Sequence, residues 1–374
     1  MSKLDQLAEL GQSIWLDFIR RSLITSGELK ALLDEGVRGV TSNPTILNQA
    51  IAGSNDYDRD VRRLAAEKGS LKEIYEALAL EDIGNAADIL RPVYDRTGGL
   101  DGYVSLEVSP RLAHDTGGTI DEARRLFGAL GRPNVMIKVP ATPAGIPAIE
   151  TLIGDGININ VTLIFSLQSY RAVIDAYLTG LEKLAASGGD PSRVASVASF
   201  FISRIDTSVD RQLDALQAQD PDSPLLGSLK GKIAIARAKA AYALFKESVA
   251  GERWKRLAAR GARVQRPLWA STSTKNPAYP DTMYVDLLIG PHTVNTTPPV
   301  TLDAFRDHGT VALTIEDGLD ESREQLAQLA ELGVDLEAIT QDLLDDGVAG
   351  FAASFDSLLS SIRDKIDQLG GTGI

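Results

Sequence analysis

Short apolar runs alternate with amphipathic stretches along most of this 374-residue chain. The short runs are rich in Val, Ile and Leu and are bounded by Gly or Pro, which is typical of buried strands. The longer stretches repeat apolar residues at three- and four-residue intervals, as amphipathic helices do. This alternation predicts an α/β fold in which helices cover a parallel sheet.

Eight strands are predicted, at residues 13–19, 39–43, 103–108, 134–139, 157–163, 194–201, 264–270 and, with a weaker pattern, 283–288. Strict alternation of eight strands with helices is the pattern of a closed (β/α)8 barrel, the TIM-barrel fold. A helical insertion separates the second strand from the third. We expect one domain over residues 1–374, with the barrel core at about 13–300 and a helical C-terminal extension at about 301–374.

One local signal marks the start of a helix. The sequence Thr25-Ser-Gly-Glu28 precedes an amphipathic stretch after the first strand. Ser or Thr followed three residues later by Glu is the pattern of a capping box, in which both side chains bond to free backbone N–H groups. We therefore expect a capping box at this point.

The amino-acid composition excludes several kinds of chemistry. The chain has no Cys, and its three His residues lie far apart in the sequence. Thiolate nucleophiles, disulfides and Cys-containing metal sites are therefore excluded, and a multi-His metal site is not expected. Catalysis must rely on carboxylates, hydroxyls, amides or lysine.

The charge and hydropathy argue against polyanionic partners. The formal net charge is −13, which repels nucleic acid and anionic membrane surfaces. The first residues form no signal-like apolar core, and no run of 18 apolar residues occurs. We expect a cytoplasmic protein that binds neither nucleic acid nor membrane.

Polar side chains recur on one face of several predicted strands. Because strand residues alternate between two faces, Lys138 lies opposite the aliphatic stripe of the fourth strand. By the same alternation Asp17 and Glu107 lie opposite the aliphatic positions of the first and third strands, and Asn160 and Thr162 share a face of the fifth. Catalytic groups of this fold sit at the carboxyl ends of the strands, so these residues are candidates for a site.

Lys138 is the candidate nucleophile among them. Burial of an ammonium group without a partner is costly, and it favours the neutral amine that can attack a carbonyl carbon. With no Cys, no His of a catalytic triad and no metal cage, a Schiff base on this lysine is the strongest candidate for covalent catalysis. The alternative is structural, because Asp17 or Glu107 could hold Lys138 in a buried ion pair without a catalytic role.

Six segments resemble the transaldolase family, and its longer bacterial branch most closely. They occur in order over about residues 13–300: IWLDFI, GVTSNPTIL, VSLEVSP, VMIKVPATPAG, NVTLIFS and SFFISR. The resemblance implies a class I aldolase type of barrel, permuted so that the Schiff-base lysine lies on the fourth strand, where Lys138 is. It also implies transfer of a dihydroxyacetone unit between sugar phosphates of the pentose phosphate pathway, with no cofactor and no metal. A C-terminal helix that covers the site is expected as well.

The resemblance further implies roles for individual residues. Lys138 is similar to the amine that attacks C2 of the ketose, and Asp17 to the acid/base at the C4 hydroxyl. Glu107 is similar to the carboxylate that, together with Thr162, holds the water of carbinolamine dehydration. The residues that resemble those around the dihydroxyacetone unit are Thr41, Asn43 and Asn160.

The phosphate site is implied by the same resemblance, with one departure. Ser199, Arg204 and Ser271 match phosphate-binding positions of the family. Many members then have Ser-x-Arg, whereas this chain has Ser271-Thr-Ser273-Thr-Lys275. Lys275 is therefore a candidate replacement for the missing arginine, and the alternative is a solvated loop lysine.

Two other functions stay open at this point. The first is an aldolase like fructose-6-phosphate aldolase, which releases free dihydroxyacetone. Shorter aldolase relatives tend to have Gln at the position of Glu107 and lack the long insertions, which favours transfer. The second is a non-catalytic barrel that binds sugar phosphates, but such a protein would usually have lost Lys138 or Asp17. The sequence is compatible with a monomer or a homodimer.

Overall fold

Eight parallel strands form a closed barrel in the computed structural model, which describes residues 1–370. The strands are β1 (Gln12–Leu16), β2 (Gly39–Thr41), β3 (Tyr103–Glu107), β4 (Val135–Pro140), β5 (Ile159–Ile164), β6 (Ser196–Phe201), β7 (Arg266–Ala270) and β8 (Thr293–Thr297). They follow one another around the barrel in chain order, and β8 closes it by pairing with β1. The predicted (β/α)8 barrel is confirmed.

Helices surround the barrel in the described part of the chain. Those before β3 are α1 (Lys3–Glu9), α2 (Arg21–Thr25), α3 (Glu28–Asp34), α4 (Pro44–Ala52), α5 (Asp58–Glu67) and α6 (Leu71–Arg96). Those between β3 and β7 are α7 (Thr116–Leu130), α8 (Gly145–Gly154), α9 (Leu167–Ala186), α10 (Ser203–Gln217), α11 (Pro224–Leu229), α12 (Ile233–Ala250) and α13 (Glu252–Ala258). The remaining helices are α14 (Met283–Asp286), α15 (Pro299–His308), α16 (Leu319–Glu331) and α17 (Leu336–Gln368). None of these helices has both the length and the apolar character needed to cross a membrane.

The last strand differs from the prediction. The stretch predicted as a strand at 283–288 contains the short helix α14, and β8 begins only at Thr293. The β8 sequence, TVNTT, carries one aliphatic residue, yet every position in it is buried. Hydrogen bonds make this burial possible: Thr296 Oγ1, for example, donates to the Trp269 carbonyl at 3.2 Å. Helix α15 then follows β8 as the eighth barrel helix, so the appended helices begin after His308.

The start of α3 also differs from the prediction. Thr25 is the last residue of α2, and Gly27 precedes α3 in the left-handed region, with φ +88°. The backbone N–H of Glu28 donates to Ser26 Oγ at 3.2 Å. The predicted capping box is therefore absent, because a tight corner between two helices occupies these residues.

A packed layer closes the amino-terminal end of the barrel. The Trp15 indole lies over Gly39, where a Cβ atom would come within 2.6 Å of the ring. Its Nε1 donates to Asp101 Oδ1 at 3.1 Å. The buried Arg266 guanidinium donates to the same carboxylate oxygen at 3.0 Å and to Ser13 Oγ at 2.7 Å. This floor leaves the carboxyl ends of the strands as the open end of the barrel.

Helix α17 packs across that open end. Thr45 Oγ1 of α4 donates to Ser354 Oγ at 2.8 Å, and Lys365 Nζ donates to the Ser54 carbonyl at 2.8 Å. Where α17 passes β5, a Cβ on Gly347 would lie 2.9 Å from Leu163 Cδ2. The close packing of this helix places it above the strand ends that carry the predicted site residues.

Candidate active site

A cavity of about 250 Å³ lies at the carboxyl end of the barrel, beneath α17. We call it the substrate cavity. Ten residues predicted from the sequence line it: Asp17, Thr41, Asn43, Lys138, Asn160, Thr162, Ser199, Arg204, Ser271 and Lys275. Glu107 is the one predicted residue that does not line it. Carboxylate, amine, amide and cationic groups therefore converge on one space.

Strand register explains how three of these polar groups come together. Lys138 on β4 is in register with Glu107 on β3 and with Asn160 on β5. Residues at matching positions of neighbouring barrel strands share one layer of the interior. Beyond Asn160 the register between β5 and β6 shifts, and Leu163 takes a positive φ of 58°. This irregularity, which resembles the bulges often found next to active sites, lies directly after Thr162.

The Lys138 amine is held loosely at the bottom of the cavity. Its side chain is 8% exposed, and Nζ donates to the Ser42 carbonyl at 3.1 Å. The nearest carboxylate oxygen, Glu107 Oε2, is 4.0 Å away, which is too long for a hydrogen bond. Asp17 instead accepts a hydrogen bond from Thr41 Oγ1 at 2.7 Å. The tight structural ion pair that the sequence left open is therefore not formed.

Glu107 lies behind Lys138, and its carboxyl group is nearly inaccessible. The side chain is 5% exposed, and Oε2 has no hydrogen-bond partner within residues 1–370. Burial raises the pKa of Glu107 to about 7; the charge of Lys138 opposes this shift and that of Asp17 adds to it. Thr162 Oγ1 is also buried without a partner. Polar atoms that are buried without a partner are uncommon in folded proteins and mark these two positions as candidates for a functional role.

The amide groups of the site are oriented by their neighbours. Asn160 Nδ2 donates to Ser105 Oγ at 3.0 Å, and its Oδ1 accepts from Ser199 Oγ at 2.8 Å. Asn43 Oδ1 accepts from the Ile46 backbone N–H at 2.9 Å and so caps α4. The Asn43 amide nitrogen remains for a ligand. The Ser199 hydroxyl, predicted to bind phosphate, donates to the Asn160 amide oxygen and lines the same cavity.

Two cations meet at the far side of the cavity. Arg204 lies in the first turn of α10, and Lys275 lies in the loop after β7. Neither forms an ion pair within residues 1–370, where the Arg204 guanidinium lies 5.5 Å from the centre of the Phe201 ring. Burial lowers the pKa of both groups, and the charge of Arg204 lowers that of Lys275 further. Lys275 and Arg204 thus line the same cavity, and unpaired cations beside a helix amino terminus favour an anion.

Sequence reasoning missed the apolar side of the cavity. Phe201 and Phe351 both line it. Phe201 could have been found, because it lies two residues after Ser199 and therefore on the same face of β6. Ser105, which orients the Asn160 amide, could have been found in the same way, because it lies two residues before Glu107 and therefore on the same face of β3. Phe351 could not have been found from the sequence pattern, since only the packing of α17 brings it to the cavity.

The described residues offer no obvious metal centre. Within residues 1–370, no group of three or more His, Asp or Glu side chains is arranged to hold a metal ion.

Comparison with known proteins assigns the family. The profile of the family described as Transaldolase/Fructose-6-phosphate aldolase matches residues 14–362. "Transaldolase 2" of Nostoc sp. is 50% identical over 371 residues, which is 97% of each chain. "Transaldolase" of Thiobacillus denitrificans is 50% identical over 357 residues, 95% of this chain and 98% of the relative. "Transaldolase 1" of Streptomyces avermitilis is 47% identical over 375 residues, 100% of this chain and 98% of the relative. These matches and the barrel with its lysine-containing cavity agree: the chain belongs to the transaldolase/fructose-6-phosphate aldolase family.

Proposed function

We propose that this protein is a transaldolase that transfers a dihydroxyacetone unit from a ketose phosphate to an aldose phosphate through a Schiff base on Lys138. The donors would be sedoheptulose 7-phosphate and fructose 6-phosphate, and the acceptors glyceraldehyde 3-phosphate and erythrose 4-phosphate. The observation that carries the proposal is one cavity with a buried lysine at its bottom and two unpaired cations at its far side. A sugar phosphate has a carbonyl group and a phosphate that suit these two ends. A pentose phosphate pathway role, a cytoplasmic location and a monomer or homodimer stay predictions.

The first steps form the Schiff base. The neutral Lys138 amine attacks C2 of the ketose, and the resulting carbinolamine loses its hydroxyl group as water. Glu107 is suited to donate the proton for this loss, because a carboxyl with a pKa of about 7 is partly protonated at neutral pH. Thr162, with its unpartnered hydroxyl, is suited to hold the departing water.

The next steps break and form the carbon–carbon bond. Asp17 takes the proton of the C4 hydroxyl as the C3–C4 bond breaks, and the two electrons of that bond remain as an enamine on Lys138. The fragment from C4 onward leaves as an aldose phosphate with its aldehyde at the former C4. The hydrogen bond from Thr41 at 2.7 Å orients the Asp17 carboxylate. When an acceptor aldose binds, the enamine carbon attacks its aldehyde and Asp17 returns a proton to the new hydroxyl. Water then hydrolyses the product Schiff base.

Substrate binding uses the remaining polar groups. Asn43 and Asn160 line the cavity together with Lys138 and are suited to hold the hydroxyl groups of the dihydroxyacetone unit. At the other end Arg204, Ser271 and Lys275 are suited to bind the phosphate. A phosphate there would satisfy both cations, which have no carboxylate partner among the described residues.

The Schiff base can be trapped directly. Fructose 6-phosphate and borohydride should give a reduced adduct on Lys138 that peptide mass spectrometry locates. Lys138→Ala should give no adduct, whereas Lys239→Met should react as the wild type does. Lys239 is a fitting control because it is also buried, at 8% exposure, but lies on α12 outside the cavity. Absence of an adduct, or its persistence in Lys138→Ala, would disprove the mechanism.

Assays of the same protein with and without an acceptor sugar distinguish transfer from the two alternative functions. A transaldolase consumes fructose 6-phosphate rapidly only when erythrose 4-phosphate is present as the acceptor. Release of free dihydroxyacetone at the same rate without an acceptor would show an aldolase. Calorimetric binding of sedoheptulose 7-phosphate without any turnover would show a non-catalytic binding protein.

A further inference from the structure

The loop between β7 and α14, residues 271–282, carries Lys275 in an exposed stretch. Residues 275–278 are all exposed. Within residues 1–370 the Lys275 ammonium makes one hydrogen bond, a local one to Ser273 Oγ at 3.2 Å. A long side chain on such a stretch has rotamer and backbone freedom that is lost when it binds a ligand. The position of Lys275 therefore depends on what holds the two ends of the loop.

The first end of the loop is held by α10 and β8. The backbone N–H of Ser203, the first residue of α10, donates to the Ser271 carbonyl at 3.0 Å. The hydroxyl groups of the same two residues lie 2.9 Å apart in a further hydrogen bond. Thr272 Oγ1 donates to the Thr296 carbonyl at 2.8 Å. These contacts fix the loop as far as Thr272, ahead of Lys275.

The second end of the loop is held by Tyr279. Its hydroxyl donates to Asp210 Oδ2 on α10 at 2.6 Å, a length typical of hydrogen bonds from a hydroxyl to a carboxylate. Asp210 Oδ1 also accepts from the Gly231 backbone N–H at 3.0 Å, so the carboxylate is itself fixed. The Tyr279 ring lies against Gly231, where a Cβ atom would come within 2.7 Å of it. Tyr279 thus joins the loop to α10 on the other side of Lys275.

Helix α10 is therefore a common frame for the two cations. Arg204 lies in its first turn, and Asp210, farther along the helix, anchors the loop that carries Lys275. Asp206, one turn before Asp210, accepts from the Tyr284 hydroxyl at 2.7 Å and so holds α14, which follows the loop. Lys275 lines the substrate cavity and also the cleft beside α10 that Asp210 lines. The anchor and the cation are thus neighbours, although the anchor lies outside the substrate cavity.

We propose that the hydrogen bond from Tyr279 to Asp210 holds Lys275 beside Arg204 and thereby sets the affinity of the protein for phosphorylated sugars. The proposal rests on the proposed function, in which the two cations bind the phosphate. Tyr279 and Asp210 are positioning residues, since neither lines the substrate cavity. Without this hydrogen bond the loop has more conformations, and binding of the phosphate must then also order the loop.

The test removes only the anchoring hydroxyl. Tyr279→Phe keeps the ring that packs on Gly231. Tyr177→Phe is the matched control, because the Tyr177 hydroxyl also bonds a distant group, the Arg263 carbonyl at 2.7 Å, but lies on α9 outside the substrate cavity. Lys275→Ala and the double variant Lys275→Ala with Tyr279→Phe complete a double-mutant cycle.

Steady-state kinetics with fructose 6-phosphate and saturating erythrose 4-phosphate report on the anchor. Tyr279→Phe should raise KM by about 2- to 12-fold, which corresponds to the cost of ordering one long side chain on binding. It should leave kcat unchanged, because the phosphate is bound equally in the ground state and the transition state. In the Lys275→Ala background the same change should have no further effect on kcat/KM, since the residue that Tyr279 positions is already gone.

The outcomes separate this inference from the proposed function. If the wild type forms no adduct on Lys138, the proposed function fails. If the wild type is active and Tyr279→Phe has the same KM as Tyr177→Phe, the positioning role is wrong. A lower kcat at unchanged KM, or an effect that is as large in the Lys275→Ala background as in the wild type, would show that Tyr279 acts on the fold in general and would also overturn the inference.

Discussion

Glu107 and Lys138 lie side by side on β3 and β4, with 4.0 Å between Oε2 and Nζ and with side chains that are 5% and 8% exposed. At this distance their charges attract each other without a hydrogen bond that would lock the pair. The register of the two neighbouring strands thus keeps a proton donor beside the amine. Several expected outcomes follow from this arrangement and from the residues around it.

The stability of the protein should depend on the ionisation of Glu107. Burial raises the pKa of this carboxyl from 4.5 to about 7. Protonation of Glu107 is therefore favoured in the folded protein and contributes to its stability. This contribution is complete below about pH 4.5 and is lost as the pH rises through about 7. Relative to Glu107→Gln, the wild type should lose on the order of 2 kcal/mol of unfolding free energy between pH 5 and pH 8.

Urea denaturation of both proteins at the two pH values measures this difference. Glu247→Gln, at an exposed position of α12, is the control and should show no such trend. A constant difference between wild type and Glu107→Gln across the range would contradict the expectation. The same variant should also lower kcat, by about 10²-fold or more if Glu107 is the acid of dehydration.

Lys275 should matter only for phosphorylated substrates. Loss of a hydrogen bond to a charged group costs about 1.5–3 kcal/mol, so Lys275→Ala should reduce kcat/KM for fructose 6-phosphate by about 10- to 100-fold. Lys275→Arg should retain most of the activity because the cation is kept. Lys230→Ala is the control, since Lys230 pairs with Asp214 near α10 and does not line the cavity. An equal loss with unphosphorylated fructose would show that Lys275 acts on the fold and not on the phosphate.

Arg266 should be needed for stability and not for substrate binding. Its side chain and that of Asp101 are 5% and 6% exposed, and the pair lies at the closed end of the barrel. Removal of one member of a buried ion pair leaves an uncompensated charge, so Arg266→Ala should cost about 3–5 kcal/mol of unfolding free energy. Arg266→Met combined with Asp101→Asn should recover part of the loss. Equilibrium denaturation measures both, and a KM that changes with the stability would contradict this assignment.

Phe351 should exclude water from the enamine. It is 8% exposed and closes the substrate cavity from α17. Phe351→Ala should increase the release of free dihydroxyacetone without an acceptor and should cost about 3 kcal/mol in stability. Leu358→Ala is the control, because Leu358 is also buried on α17 but does not line the cavity. Equal leakage from both variants would show that general loosening of α17, and not the phenyl ring, is responsible.

The sequence pattern predicted a strand correctly where that strand buries aliphatic side chains. In β4 and β5 the aliphatic residues take every second position, so the opposite face, which carries Lys138, Asn160 and Thr162, could be read from the sequence. β8 could not, because its Thr and Asn side chains are buried through hydrogen bonds and leave no hydrophobic pattern. The capping box predicted at α3 failed for another reason, since a tight corner between α2 and α3 occupies these residues.

The sequence by itself determined the barrel, the inward face of Lys138 and, through the departure at Ser271-Thr-Ser273, the candidacy of Lys275. Strand alternation is a property of the backbone over a few residues, so it can be read locally. Only the tertiary structure decided that Glu107 lies behind Lys138, that Arg204 and Lys275 meet, and that α17 brings Phe351 over the site. These contacts join residues far apart in the chain, and their geometry depends on how all the helices pack, which no short segment encodes.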